Sequence, residues 1–122
     1  MLNTQHQFFV WGEKMKISTR YADGKLCIAL QGELDHHSAR QAMSGITEAI
    51  DGTLPRQVLL DMSKLSFMDS SGIAVILKAD RRIKETGGRL FIDCPKSQPL
   101  KVLEAAGVDR VVDIICKREV TT

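Results

Sequence analysis

The apolar residues of this chain switch between two spacings, and the switches mark its elements. Met15, Ile17, Thr19 and Tyr21 recur at every second position, the spacing of a strand with one buried face. Asp23-Gly24 follows, a strong signal for a two-residue hairpin turn. Leu26, Ile28 and Leu30 then resume the alternation. The segment predicts two antiparallel strands, the second ending at Gly32.

The spacing then becomes helical. Ala39, Ala42, Met43, Ile46, Ala49 and Ile50 share one face of a helix, with Gly52 and Pro55 as stop signals. Ser38 and Gln41 have capping-box spacing, so Ser38 is the expected N-cap. Val58-Leu59-Leu60 is a short unbroken apolar run, the mark of a strand covered on both faces. A second helix follows Asp69-Ser70-Ser71-Gly72, with Ile73, Ile76, Leu77 and Ile83 as its apolar stripe and Gly87-Gly88 as its stop. Leu90-Phe91-Ile92 reads as the next strand. Ser97 is the expected cap of a third short helix carrying Leu100, Leu103 and Ala106 and ended by Gly107. Val111-Val112 and Ile114-Ile115 read as the last strand.

A hairpin followed by alternating helices and strands predicts an α/β fold: a mixed, mostly parallel sheet with helices packed against it. The length of 122 residues allows one domain, placed at residues 15–116. Residues 117–122 read as a tail. Residues 1–14 read as a flexible extension, because the regular pattern opens only at Met15. The alternative there is an extra edge strand or a docking peptide.

Charge narrows the partners. Seventeen basic and 15 acidic side chains leave a net charge of +2, which makes no general electrostatic case for nucleic acid. Lys78, Arg81, Arg82 and Lys84 read as a solvated helix face. No apolar run approaches the ~20 residues that cross a bilayer, and the start lacks a basic leader, so neither membrane insertion nor secretion is expected. Cys27, Cys94 and Cys116 are far apart and odd in number, which argues against a disulfide framework and a zinc site. Cys27 and Cys94 read as small core residues, Cys116 as a strand end, and the setting as a reduced cytoplasm.

Two strand-to-helix stretches carry the candidate chemistry. One is Gly32-Glu33-Leu34-Asp35-His36-His37-Ser38; the other is Leu65-Ser66-Phe67-Met68-Asp69-Ser70-Ser71-Gly72. Parallel strands would bring both to one end of the sheet, where functional loops of open α/β folds gather. Ser70 and Ser71 fall at a helix N-terminus, where backbone amides and the macrodipole favour a phosphate. Plain N-capping explains the same cluster without any ligand. Gly72 would let another backbone approach closely.

Other chemistries are less well supported. Asp-Ser-Ser-Gly is not the nucleophile-elbow pattern, and vicinal His36 and His37 before a helix read as surface residues. The same two histidines cannot readily aim at one metal ion. No phosphate-cradling glycine loop for a nucleotide is present, so no cofactor is expected and any phosphoryl donor must sit on another protein.

Those two stretches, together with Ile73 and Val75-Ile76-Leu77, resemble the STAS-domain anti-sigma-factor antagonists, and look most like their sporulation sigma-F type. The similarity in element order runs from about Met15 to about Ile115. It departs at Ala74, where the family often has glycine. The resemblance implies phosphorylation at the first serine of the loop, Ser70. It implies a partner, an anti-sigma factor with serine kinase activity, which the unphosphorylated form binds so that a sigma factor is released. A phosphatase would reset the switch. Glu33, Asp35, Asp69, Ser71 and Gly72 are the expected partner-binding residues around Ser70, with no catalytic residue and no metal. A monomer or weak dimer is expected. The competing classes are an adaptor module of a transporter or signalling assembly, and a small serine-dependent enzyme.

Overall fold

The computed structural model describes residues 4–8 and 15–116. Its elements run β1 (Thr4–Phe8), β2 (Met15–Ala22), β3 (Lys25–Leu34), α1 (Ala39–Thr53), β4 (Gln57–Met68), α2 (Ser70–Glu85), β5 (Arg89–Asp93), α3 (Ser97–Ala105), a 3-10 turn (Val108–Arg110) and β6 (Asp113–Ile115). The strands form one sheet in chain order, β1 to β6. β1, β2 and β3 pair antiparallel, and β3 to β6 pair parallel. Each parallel step needs a crossover, and α1, α2 and α3 supply the three.

Local chemistry sets these elements. Asp23 and Gly24 both take positive φ, 54° and 79°, as a type I′ turn demands, and this fixes the β2–β3 register at Ala22 opposite Lys25. Alternate residues of β3 and β4, such as Leu26, Ile28, Val58 and Leu60, are buried. They share one core cluster with Ile46 and Ile50 of α1 and with Val75, Ile76 and Ile83 of α2. The core therefore lies between the sheet and these two helices, and Leu103 of α3 joins it.

The edge strand β1 pairs Thr4 with Tyr21 through Phe8 with Ile17. It corresponds to the alternative raised for the N-terminus, where a loose extension over residues 1–14 was the first expectation. Residues 4–7 are polar and give no apolar alternation, and it is the free edge of β2 that offers the segment a backbone partner.

Several boundaries differ from the sequence reading. β3 continues past Gly32 to Leu34, with irregular pairing between Ala29 and Glu33. β4 runs on through residues 65–68, which read as loop because Ser63, Lys64 and Ser66 interrupt the apolar run. Val75 rather than Leu77 faces the core from α2. Lys96, not Ser97, holds the N-cap position of α3, and Val111-Val112 precede β6.

Candidate functional site

The parallel pairing of β3 and β4 brings the two singled-out stretches together. Glu33 lies opposite Phe67 and Leu34 opposite Met68. The Asp69 amide donates to the Leu34 carbonyl at 3.3 Å, and the Ser66 hydroxyl donates to the Gly32 carbonyl at 3.0 Å. Both strands then turn into helices at the same end of the sheet.

Ser70 is the first residue of α2. Asp69, in extended backbone, is the N-cap, and its Oδ1 accepts the Ser71 amide at 2.8 Å. The Gly72 amide donates to the Asp69 carbonyl at 3.0 Å. The cap thus holds the backbone on either side of Ser70, whose side chain is exposed and hydrogen-bonds to none of the described residues. Ser71 is half-buried and lines an open groove between α1 and α2, with a volume of ≈ 750 Å³. The basic residues Arg40 and Lys78 and the acidic Glu48 also line it.

Gly72 packs inside the protein. It is buried, and an added Cβ would overlap the Met68 side chain, 2.8 Å from its Sδ, and crowd Leu34 Cδ2 at 3.1 Å. The space left by its missing side chain is filled from within the protein. It lets α2 start directly against the ends of β3 and β4.

Asp35 is likewise turned inward, at 8% exposure. Its Oδ1 accepts the amides of His37 and Ser38 at 2.9 and 3.2 Å and the Ser38 hydroxyl at 3.4 Å. The single Ser38 hydroxyl proton has both that carboxylate and the Glu33 carbonyl, at 3.1 Å, within reach, and the hydroxyl oxygen accepts the Asp35 amide at 3.1 Å. The expected Ser38–Gln41 capping box does not form, because Ser38 has no side-chain cap bond and faces back into the loop. Glu33 is half-buried near the end of β3, just before this loop. Of the five expected partner-binding residues, Glu33 and Ser71 keep some exposed surface apart from a cap or a packing contact. Asp35 holds the turn before α1, Asp69 caps α2 and Gly72 packs in its first turn.

The family model described as STAS domain matches residues 16–120. The chain belongs to the STAS family. An anti-sigma F factor antagonist of Paenibacillus polymyxa is 32% identical over 101 residues, 82% of this chain and 86% of that one. The unphosphorylated form of the anti-sigma factor antagonist SpoIIAA superposes with a TM-score of 0.72 at 28% identity, covering 84% of this chain and 90% of that one. The phosphorylated form of the Bacillus cell fate determinant SpoIIAA gives a TM-score of 0.64 at 28% identity, covering 84% and 94%.

One supporting residue of this STAS domain has no signal in the sequence. Gln98, in the first turn of α3, accepts the Met68 amide on Oε1 at 2.9 Å and donates from Nε2 to the Met68 carbonyl at 3.0 Å. Nothing in a Gln before Pro99 announces a contact thirty residues away. Neither His36 nor His37 hydrogen-bonds Ser70; both are exposed, and His37 Nδ1 lies 3.9 Å from Asp35 Oδ2.

The cysteine reading needs correction. Cys94 and Cys116 form a disulfide, with Cα atoms 4.3 Å apart. Parallel pairing of Asp93 with Ile115 brings the strand ends together, and the Cys94 amide donates to the Ile115 carbonyl at 2.7 Å. Spacing along the chain could not reveal this proximity. The ligand atoms of Asp93, Cys94 and Cys116 lie within 4.8 Å of one another, but bonded sulfurs are not the thiolates that bind metal. Cys27 is free of disulfides and half-buried on β3. No helix among the described residues is long and apolar enough to cross a membrane.

Proposed function

We infer that this protein is an anti-sigma-factor antagonist of the partner-switching kind. Unphosphorylated, it binds an anti-sigma factor that is also a serine kinase and so releases a sigma factor; phosphorylation of Ser70 blocks the binding. The carrying observation is the exposed, unbonded Ser70 hydroxyl on a backbone held by the Asp69 cap. A kinase must reach the hydroxyl without unfolding α2, and this geometry permits that. Ser71 is the poorer acceptor, because it is half-buried against the α1–α2 groove.

The surroundings suit a docking face. Ser70, Ala74 and Leu77 are exposed at i, i+4 and i+7 of α2 and so share one face. Phe67, 39% exposed and second from the end of β4, lies three residues before Ser70 in the chain. A partner covering this face buries Ser70. A phosphate there adds a charge of about −1.5 to −2. The helix N-terminus offsets at most ~2 kcal/mol of its cost, and Asp69 already occupies the Ser71 amide. A doubly charged phosphate ~6 Å from one partner carboxylate costs roughly 5 kcal/mol at an effective dielectric near 20. Repulsion and lost hydration outweigh the local gain, so the complex dissociates while the fold persists.

On this reading the chain has no catalysis of its own and works in the cytoplasm, a reducing setting that would open the Cys94–Cys116 bond. A phosphatase regenerates the binding form. The test is intact-mass analysis after co-expression with the anti-sigma kinases of the same genome. One phosphate mapped to Ser70 supports the reading; no phosphate with any of these kinases, or a phosphate on Ser71, contradicts it.

A further inference from the structure

The last residue of β4 lacks a strand on one side. β5 pairs with β4 only from Gln57 to Asp61, while β4 continues to Met68. Asp69 points its amide toward β3, at the Leu34 carbonyl. Neighbouring strand residues point their backbone groups to opposite sides, so the Met68 amide and carbonyl face away from β3. Buried backbone groups left without partners are costly, and no strand is there to take them. The Gln98 side-chain amide takes both, at 2.9 and 3.0 Å, in place of a strand residue. Met68 itself is fully buried, and its side chain fills the space beside Gly72 at the start of α2.

We propose that Gln98 is a positioning residue for phosphorylation and partner recognition at Ser70. It acts through Met68: the paired amide fixes the height and direction at which β4 hands over to Asp69, and so where Ser70 stands relative to the docking face of α2. The carboxamide matters because it offers one donor and one acceptor to the same residue, which neither a carboxylate nor a hydrocarbon does. The inference rests on the reading of Ser70 as the phosphorylated residue.

The experiment compares Gln98→Met, close in shape but without the amide, with Val102→Ala, which trims the same helix at a half-buried position and leaves the two Gln98–Met68 hydrogen bonds in place. Three quantities are read: the melting temperature, the exchange rates of the Met68 and Ser71 amides, and kcat/KM for phosphorylation by the cognate anti-sigma kinase. Gln98→Met should speed Met68 amide exchange at least tenfold, speed that of Ser71, and lower kcat/KM about tenfold. Val102→Ala, matched to the same loss of melting temperature by adjusting urea, should leave kcat/KM within twofold. Equal kcat/KM losses in the two variants would overturn the positioning role, as would unchanged exchange in Gln98→Met. If no kinase phosphorylates the wild type, the functional reading fails separately, and the exchange of the Met68 and Ser71 amides alone decides whether Gln98 positions this turn.

Discussion

The Ser71 amide donates to the Asp69 carboxylate at 2.8 Å, and Ser70 stands between the two with its side chain in solvent. Ser70 is thus presented between a capping carboxylate and a backbone amide that are bonded to each other. Asp69→Asn should keep the cap, since Asn caps as well as Asp, and leave stability within ~0.5 kcal/mol. Asp69→Ala should lose about 1 kcal/mol by urea denaturation. A stable Asp69→Ala would mean that the cap bond contributes nothing.

Gly72→Ala should be more damaging than a glycine-to-alanine change in a helix ordinarily is. The added methyl meets Met68 and Leu34 rather than open space. Overpacking of this kind costs ~1–3 kcal/mol, against a gain of up to ~1 kcal/mol in helix propensity. Denaturant melts should show net destabilisation; a gain in stability would show that Met68 moves aside freely.

Asp35→Ala should destabilise the protein by ~1–3 kcal/mol, because the amides of His37 and Ser38 lose their acceptor in a partly buried loop. Asp35→Asn keeps an acceptor oxygen and should cost less. The expectation from sequence was the reverse emphasis, with Asp35 serving the partner. Thermal melts of the two variants beside their affinity for the kinase separate the roles: weak binding with an unchanged melting temperature would restore the partner role.

The alternation of β2 and β3, the Asp23-Gly24 turn and the stripes of α1 and α2 were legible because each depends on neighbours within a few positions. So was the meeting of the two stretches at one sheet end, which follows once β3 and β4 are parallel. Residues 65–68 were not, since their strand character comes from pairing with β3 across the Ser63, Lys64 and Ser66 interruptions. Gly72 signalled a close approach, but the sequence could not say that the approaching group is Met68 of the same chain. Gln98 and the Cys94–Cys116 pair depend wholly on which strand ends become neighbours in space.

That pair has its own test. Closing a loop with a sequence separation of 22 should stabilise the oxidised protein by about 3 kcal/mol on the chain-entropy account. Adding reductant should lower the urea midpoint of the wild type and leave Cys94→Ser unaffected. Alkylation of unfolded, unreduced protein should label Cys27 alone. Three labelled cysteines without reductant, and a midpoint indifferent to it, would show that the bond does not form in solution.

One phosphate on Ser70 should separate this protein from its anti-sigma factor without unfolding it. Titration calorimetry of the unmodified and the singly phosphorylated protein against the same anti-sigma kinase reads it directly. The account predicts a tight complex for the unmodified protein and an affinity lower by at least a hundredfold for the phosphorylated one, about 2.7 kcal/mol, with both forms melting cooperatively. Equal affinity of the two forms would contradict it.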